Sequence, residues 1–266
     1  LETAISNSDI VETFNHELEQ EEYLLEVAAS MKKEPYNYSK AFKDELKARV
    51  KKFVISHSSL SSYFNCPRAF MYSNILKIPV LDSDSANANY GSAIHRTLQY
   101  CVKYAKENGV YAHFDKVEEA FNKNLDMEKF QDSDTREVYR ERGIKSLTNY
   151  YMQMLDTPID RIYATEYSFK FLPYQNHLIK GFIDRIEKNK DETFEVYDYK
   201  TGEAKSKNQI ADGMNYEHYL NQLRFYKFAF ELEHPDVKVS RAGLIFVEEP
   251  DGNFYVNLTD EDNEII

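Results

Sequence analysis

Tryptophan is missing altogether from this 266-residue chain, cysteine occurs only twice, and glycine and proline are held to eight and seven positions. So little glycine and proline excludes a collagen-like or linker-dominated chain. Two cysteines, Cys66 and Cys101, build neither a disulfide framework nor a four-cysteine metal site, which fits a reducing, cytoplasmic setting. No apolar run approaches the roughly 18 residues of a membrane span. The opening Leu1-Glu2-Thr3-Ala4 has neither the basic start nor the apolar stretch of a signal peptide. The expectation is a soluble protein with no membrane partner, and a start at Leu1 rather than Met reads as a piece of a longer protein. Positive charge is also short. With 33 Lys and Arg against 45 Asp and Glu the net charge is −12, which argues against coating nucleic acid through bulk electrostatics and leaves room for a local basic groove.

What is present is apolar and aromatic. Hydrophobic residues make up 42% of the chain, including 21 Tyr and 17 Phe, enough to fill a sizeable core. Residues 8–32 carry an amphipathic helical pattern and a second, charged helix is predicted over about 39–51. Residues 1–52 therefore read as a helical extension or connector, and 53–266 as the main domain. After Phe53-Val54-Ile55, Ser58 or Ser59 is the expected N-cap of a short helix bearing Leu60, Tyr63 and Phe64. A polar loop is expected over 82–89, and Gly91 is expected to open a helix to about Asn108 with Ile94, Leu98, Cys101, Val102 and Ala105 along one stripe. Two more helices are predicted near 114–126 and 133–155.

The second half changes period. Ile162 to Leu172 and His177 to Glu187 read as strands joined by a hairpin at Pro173-Tyr174-Gln175-Asn176, and Thr193 to Tyr199 as a third strand. A helix over about 215–232, a strand over 241–247 and, past Pro250-Asp251-Gly252, a last strand follow. That order predicts a mixed α/β fold with a helical layer and a mainly antiparallel start.

The informative chemistry is Gly181-Phe182-Ile183-Asp184, followed fourteen positions after Asp184 by Asp198-Tyr199-Lys200. Strands adjacent in sequence usually pair, so the two aspartates converge at strand ends. The period of two puts Asp198 and Lys200 on one face and Tyr197 and Tyr199 on the other. Two carboxylates about 4 Å apart repel by roughly 4 kcal/mol at an effective dielectric near 20, which calls for a cation. Mg²⁺ suits such a site, since it takes a few carboxylates with water and phosphate oxygens, and the backbone carbonyl of Tyr199 adds a ligand.

Gly-x-x-Asp followed by Asp-x-Lys resembles motifs II and III of the PD-(D/E)XK nucleases. Three further segments are similar to the RecB/AddB-like branch: Gly91-Ser92-Ala93-Ile94-His95, Gln222-Leu223-Arg224-Phe225-Tyr226, and Ser59-Leu60 through Cys66-Pro67-Arg68-Ala69-Phe70. The resemblance spans about residues 55–260. It implies a restriction-endonuclease-like core, a mixed sheet flanked by helices, with the N-terminal extension added. It also implies that His95, Asp184, Asp198 and the Tyr199 carbonyl hold Mg²⁺ or Mn²⁺, that Lys200 assists the attacking water, and that Gln222 and Tyr226, four apart on one helical face, contact substrate near the cut. The implied activity is exonucleolytic hydrolysis of DNA at single-stranded ends, in DNA repair or recombination. No Gly-x-x-x-x-Gly-Lys-Ser/Thr occurs, so a helicase motor would lie elsewhere in the protein or in a partner subunit. Some relatives hold an iron–sulfur cluster through a cysteine in the Cys-Pro segment and three near the C-terminus; no cysteine follows Cys101 here, so no cluster is expected in this chain.

Each residue also has a plainer reading. His95 alone beside an apolar stripe is a satisfied core histidine, Asp184 pairs with Arg185 at the surface, and Asp198 with Lys200 serves only the sheet. Gln222 then borders a core helix, Cys66 is a small buried hydrophobe, and Lys205 and Lys207 are a solvated loop cluster. Glu166 either faces solvent or reaches the metal. The reading from another functional class is a catalytically silent DNA-end-binding or scaffolding module on the same fold.

Overall fold

The computed structural model describes residues 38–79, 86–126, 130, 132–202 and 214–265. The helix expected over 8–32, loop residues 82–85, Lys205 and Lys207 lie outside the described residues. The chain divides at Ala48/Arg49 into two units. The described part of the first leads into α1 (Lys40–Val50), which buries no residue.

The second unit runs β1 (Val54–Ile55), α2 (His57–Asn65), α3 (Pro67–Phe70) with a π turn at Met71–Ile75, α4 (Ala86–Asn108), α5 (Phe114–Asp126) and α6 (Ser133–Leu155). It continues with β2 (Ile162–Tyr174), β3 (His177–Lys188), β4 (Phe194–Lys200), α7 (Met214–Glu233), β5 (Val239–Phe246), β6 (Phe254–Asn257) and α8 (Asp262–Ile265).

Two helix starts correct the sequence reading. The N-cap of α2 is Ser56, whose Oγ accepts from Ser59 N–H while Ser59 Oγ accepts from Ser56 N–H, a reciprocal box that places Ser58 and Ser59 inside the helix. And α4 begins at Ala86, five residues before Gly91, although asparagine is a poor helix former. Packing overrides propensity there: Tyr90 is buried, donates to Ser146 Oγ at 3.2 Å, and lies under the Arg142 guanidinium. Gly91 has a spatial role instead, since a Cβ there would come within 3.1 Å of Thr201 Oγ1, the residue after Lys200.

The described strands form a six-stranded mixed sheet. β3 is its axis. It pairs antiparallel with β2 along one edge; the other edge is shared by β1, parallel at Leu178 and Ile179, and β4, antiparallel from Arg185 to Lys188. The crossover through α7 makes β5 parallel to β4, and β6 closes antiparallel on β5. β1 escaped the sequence reading because two residues are too short to show a period. The β2–β3 turn is tighter than expected, two residues between Tyr174 and His177, with Gln175 at φ 51°.

Both faces of the sheet are covered. α7 buries Leu223, Phe225 and Phe230 against Ile183, Val196 and Leu244. On the other face α4, α5 and α6 bury Ile94, Leu98, Phe121 and Leu147 with Tyr197, Tyr199 and Ile245. Each fully buried side chain of this size contributes roughly 1.5–3 kcal/mol, so both layers are needed to hold the sheet. β4 alternates as expected, Val196 toward α7 and Tyr197 and Tyr199 toward α4–α6. No described helix is long and apolar enough to cross a membrane.

Candidate active site

The site lies where β3 and β4 part. Their pairing ends at Arg185↔Tyr197, and beyond it Asp184 Oδ2 accepts from Tyr199 N–H at 2.6 Å, a side chain taking the place of a strand-to-strand bond. The period of two breaks at the same point. Ile183 packs into the core beneath α7, whereas Arg185 lays its guanidinium over Tyr197 and Tyr199 on the opposite face. On β2, the residue facing Asp184 is Glu166, which holds φ at 48° in mid-strand. A non-glycine residue in that region costs roughly 1–2 kcal/mol, so the sheet around Asp184 is distorted on both strands.

Three side chains meet in that gap. His95 on α4 brings Nδ1 to 3.2 Å from Asp184 Oδ1 and 3.8 Å from Glu166 Oε1. The ligand atoms of His95, Glu166 and Asp184 all lie within 4.8 Å of one another. Burial and then the charge of Asp198 raise the Asp184 carboxyl to about 6, against the pull of His95 and the Tyr199 N–H. For His95 burial works against the charge, but hydrogen bonds to Asp184 and Glu166 outweigh it and lift the imidazole to about 10. Arg185 does not neutralise Asp184; it is itself buried, 3.1 Å from Glu187 and donating to Tyr150 Oη at 3.0 Å. The surface ion pair offered as the plain reading of Asp184 is therefore not formed.

The second half of the site is Asp198 with Lys200 on β4 and Gln222 with Tyr226 on α7. Asp198 Oδ1 accepts from Gln222 Nε2 at 2.8 Å and from Tyr226 Oη at 2.9 Å. Lys200 Nζ donates to Gln222 Oε1 at 2.8 Å and stands 2.8 Å from Asp198 Oδ2. This fixes the Gln222 amide, because an ammonium cannot accept and an ionised carboxylate cannot donate. Burial, and then the charges of Asp198 and Asp184, keep the Tyr226 phenol protonated, so its hydroxyl is available as donor. The expected pairing of Gln222 with Tyr226 on one helical face is present, but both are turned onto Asp198.

Tyr199 contributes its N–H to Asp184, and its ring stands edge-on to His95 with centroids 6.0 Å apart. Cys66 is exposed rather than buried, because its sulfur caps α3 by accepting from Ala69 N–H. One residue near the site was not singled out from sequence. His57, in the first turn of α2, lies within electrostatic reach of Lys200 and Asp198; burial, then His218 and Lys200, lower its imidazole to about 4 and keep it neutral. The only sequence signal was its place beside the capping serine.

The donor set of His95, Glu166 and Asp184 fits a divalent cation, and Asp198 is not among the atoms that lie within 4.8 Å of one another there. Its Oδ2 is buried, 2.8 Å from the Lys200 ammonium, and accepts no hydrogen bond from a described residue.

Comparison with curated proteins returned no match. The profile of the PD-(D/E)XK nuclease superfamily matches residues 54–264, from β1 through α8, and so takes in the parted strands, the Asp-x-Lys of β4 and the helix that holds them. A mixed sheet between two helical layers, a Gly-x-x-Asp on one strand and an Asp-x-Lys on its neighbour are what that match covers: the chain belongs to the PD-(D/E)XK nuclease superfamily.

Proposed function

We propose that this chain is a Mg²⁺- or Mn²⁺-dependent deoxyribonuclease, an exonuclease working on single-stranded ends as the nuclease module of a RecB/AddB-like helicase-nuclease in DNA repair or recombination. The helicase motor lies in the same protein or in a partner subunit. The observation that carries the reading is the pairing of the His95–Glu166–Asp184 group with the Asp198–Lys200–Gln222–Tyr226 network across the β3–β4 gap. Two-cysteine usage supports a cytoplasmic location, and an iron–sulfur cluster is not part of this reading.

His95, Asp184, Asp198 and the Tyr199 carbonyl would hold the ion, with Glu166 beside them. When bound it supplies Lewis acidity at a phosphoryl oxygen and a more acidic water. Lys200, fixed between Asp198 and Gln222, orients the attacking water and offsets the charge that builds on the phosphoryl oxygens. Gln222 and Tyr226 hold Asp198 in one orientation through Oδ1, and Oδ2, beside Lys200, is the oxygen that would be offered to an ion. The tyrosine hydroxyl stays protonated and His57 stays neutral, so neither competes with Lys200 for that charge.

The test is incubation of end-labelled single- and double-stranded DNA with Mg²⁺ or Mn²⁺, comparing the native chain with Asp198→Ala and Lys200→Ala. Metal-dependent cleavage that both substitutions abolish is expected. Equal cleavage by all three proteins would trace it to contamination. Binding of DNA ends without cleavage by the native chain would replace the proposal with a silent end-binding module.

A further inference from the structure

In a chain short of positive charge, one part of the surface collects it. A cavity of about 600 Å³ is lined by Arg49, Lys52, Lys77 and Lys180 together with Ser56 and Ser59, and no carboxylate lines it. Lys52, Lys77 and Lys180 make no ion pair with a described residue. Three lysines around one cavity with no carboxylate in its lining repel each other, and that arrangement is stabilised by a polyanion.

Its position connects it to the cleavage site along two elements. On β3, Lys180 lies four residues before Asp184, about 13 Å at 3.3 Å per residue. That is about four steps of a stacked strand at 3.4 Å each. Between them stands Phe182, a ring 54% exposed to solvent in the middle of a strand whose neighbours Ile179 and Ile183 are buried. The second connection is the first turn of α2. Ser56 and Ser59 line the cavity, while His57 between them packs on Phe225 and His218 of α7, the helix that carries Gln222 and Tyr226. A cationic groove with an exposed aromatic ring along it is how sequence-tolerant single-strand binding is built, the cations following phosphates and the ring stacking a base.

We propose that the substrate strand runs from the cleavage site over β3, stacks one base on Phe182 and seats its backbone phosphates in the cavity lined by Arg49, Lys52, Lys77 and Lys180. The assignment deepens the nuclease reading and rests on it. It predicts which part of the chain holds the strand, and that short substrates which cannot span the distance are bound weakly.

The experiment measures binding of a fluorescent single-stranded DNA oligonucleotide in EDTA at several salt concentrations, with metal-dependent hydrolysis of a small activated phosphodiester followed in parallel. Lys52→Gln with Lys180→Gln should lower the slope of log affinity against log salt by about 0.7 per lost phosphate contact. Phe182→Ala should weaken binding about tenfold, with Phe182→Tyr close to native. Hydrolysis of the small diester should be unchanged in every variant. Unaltered slope and affinity in variants of a chain that cleaves DNA would overturn the strand path alone. Absence of hydrolysis of either substrate by the native chain would strike the nuclease reading instead. Inorganic phosphate competing as strongly as the oligonucleotide would make the cavity a small-anion site and overturn the assignment to a strand.

Discussion

The two halves of the site are built on different principles. Asp198, Lys200, Gln222 and Tyr226 satisfy one another: both Oδ1 bonds come from α7, the lysine is held by the same glutamine, and one carboxylate oxygen is left over. His95, Glu166 and Asp184 do the opposite. They crowd two carboxylates against an imidazole, raise the buried Asp184 carboxyl to about 6, and sit beside a backbone distortion at Glu166. The first half is preorganised by its own hydrogen bonds, while the second gathers ligand atoms that could hold a cation. Catalytic sites need both, since fixed donors lower the barrier only if their geometry precedes the substrate.

The strongest way to break this contrast is to neutralise each half in turn. Asp184→Asn and Asp198→Asn should each lower metal-dependent cleavage by about 10³-fold or more, measured under single turnover with secondary structure intact. Both should also raise half-saturating Mn²⁺, Asp184→Asn the more steeply, because His95 and Glu166 are grouped with Asp184 around the ion's place. Equal metal shifts in both would mean the halves are one. A smaller effect, about 10- to 100-fold, is expected for Gln222→Ala and Tyr226→Phe, which act through Asp198. It should appear in the maximal rate more than in metal saturation, and a pure metal effect would put them in the other half. Glu166→Gln should weaken Mn²⁺ saturation about tenfold with little change in the saturated rate; no change would return Glu166 to the surface role.

Acidity gives the mildest test. The Asp184 carboxyl is raised from 3.8 to about 6 and the His95 imidazole from 6.5 to about 10. A raised pKa means the folded metal-free protein binds its proton more tightly than the unfolded chain, so this stability is full below the unfolded value and is lost as pH rises through the folded one. The His95 contribution is present below pH 6.5 and declines toward pH 10, and the Asp184 contribution declines between about 3.8 and 6. Melting of EDTA-treated protein should therefore fall as pH rises from 6.5 to 9.5. Mn²⁺ should restore stability more at the upper end, because ligation displaces those protons. A flat metal-free profile would detach His95 from Asp184.

Much of the fold was written in local pattern. The strands over Ile162–Tyr174 and His177–Lys188, the alternation that turns Asp198 and Lys200 to α7, and the buried stripe Ile94, Leu98, Cys101 and Ala105 all follow from period. The start of α4 was misread because residues 86–89 look like a loop until Tyr90 has Ser146 and Arg142 to pack on. The α2 cap was misplaced among adjacent serines, which differ only once backbone geometry assigns Ser56 the extended conformation.

By itself the sequence determined the chemical types and which of them share a face within one element: the carboxylate beside the lysine on β4, the glutamine above the tyrosine on α7. Only the tertiary structure decided that His95 reaches Asp184, that Glu166 joins them while Arg185 turns away, and that Ser56 and Lys180 line one cavity. The reason is physical. Period within an element follows from backbone geometry over a few residues, whereas the meeting of α4, β2 and β3 depends on where strand pairing stops, and that is set by the packing of both helical layers at once.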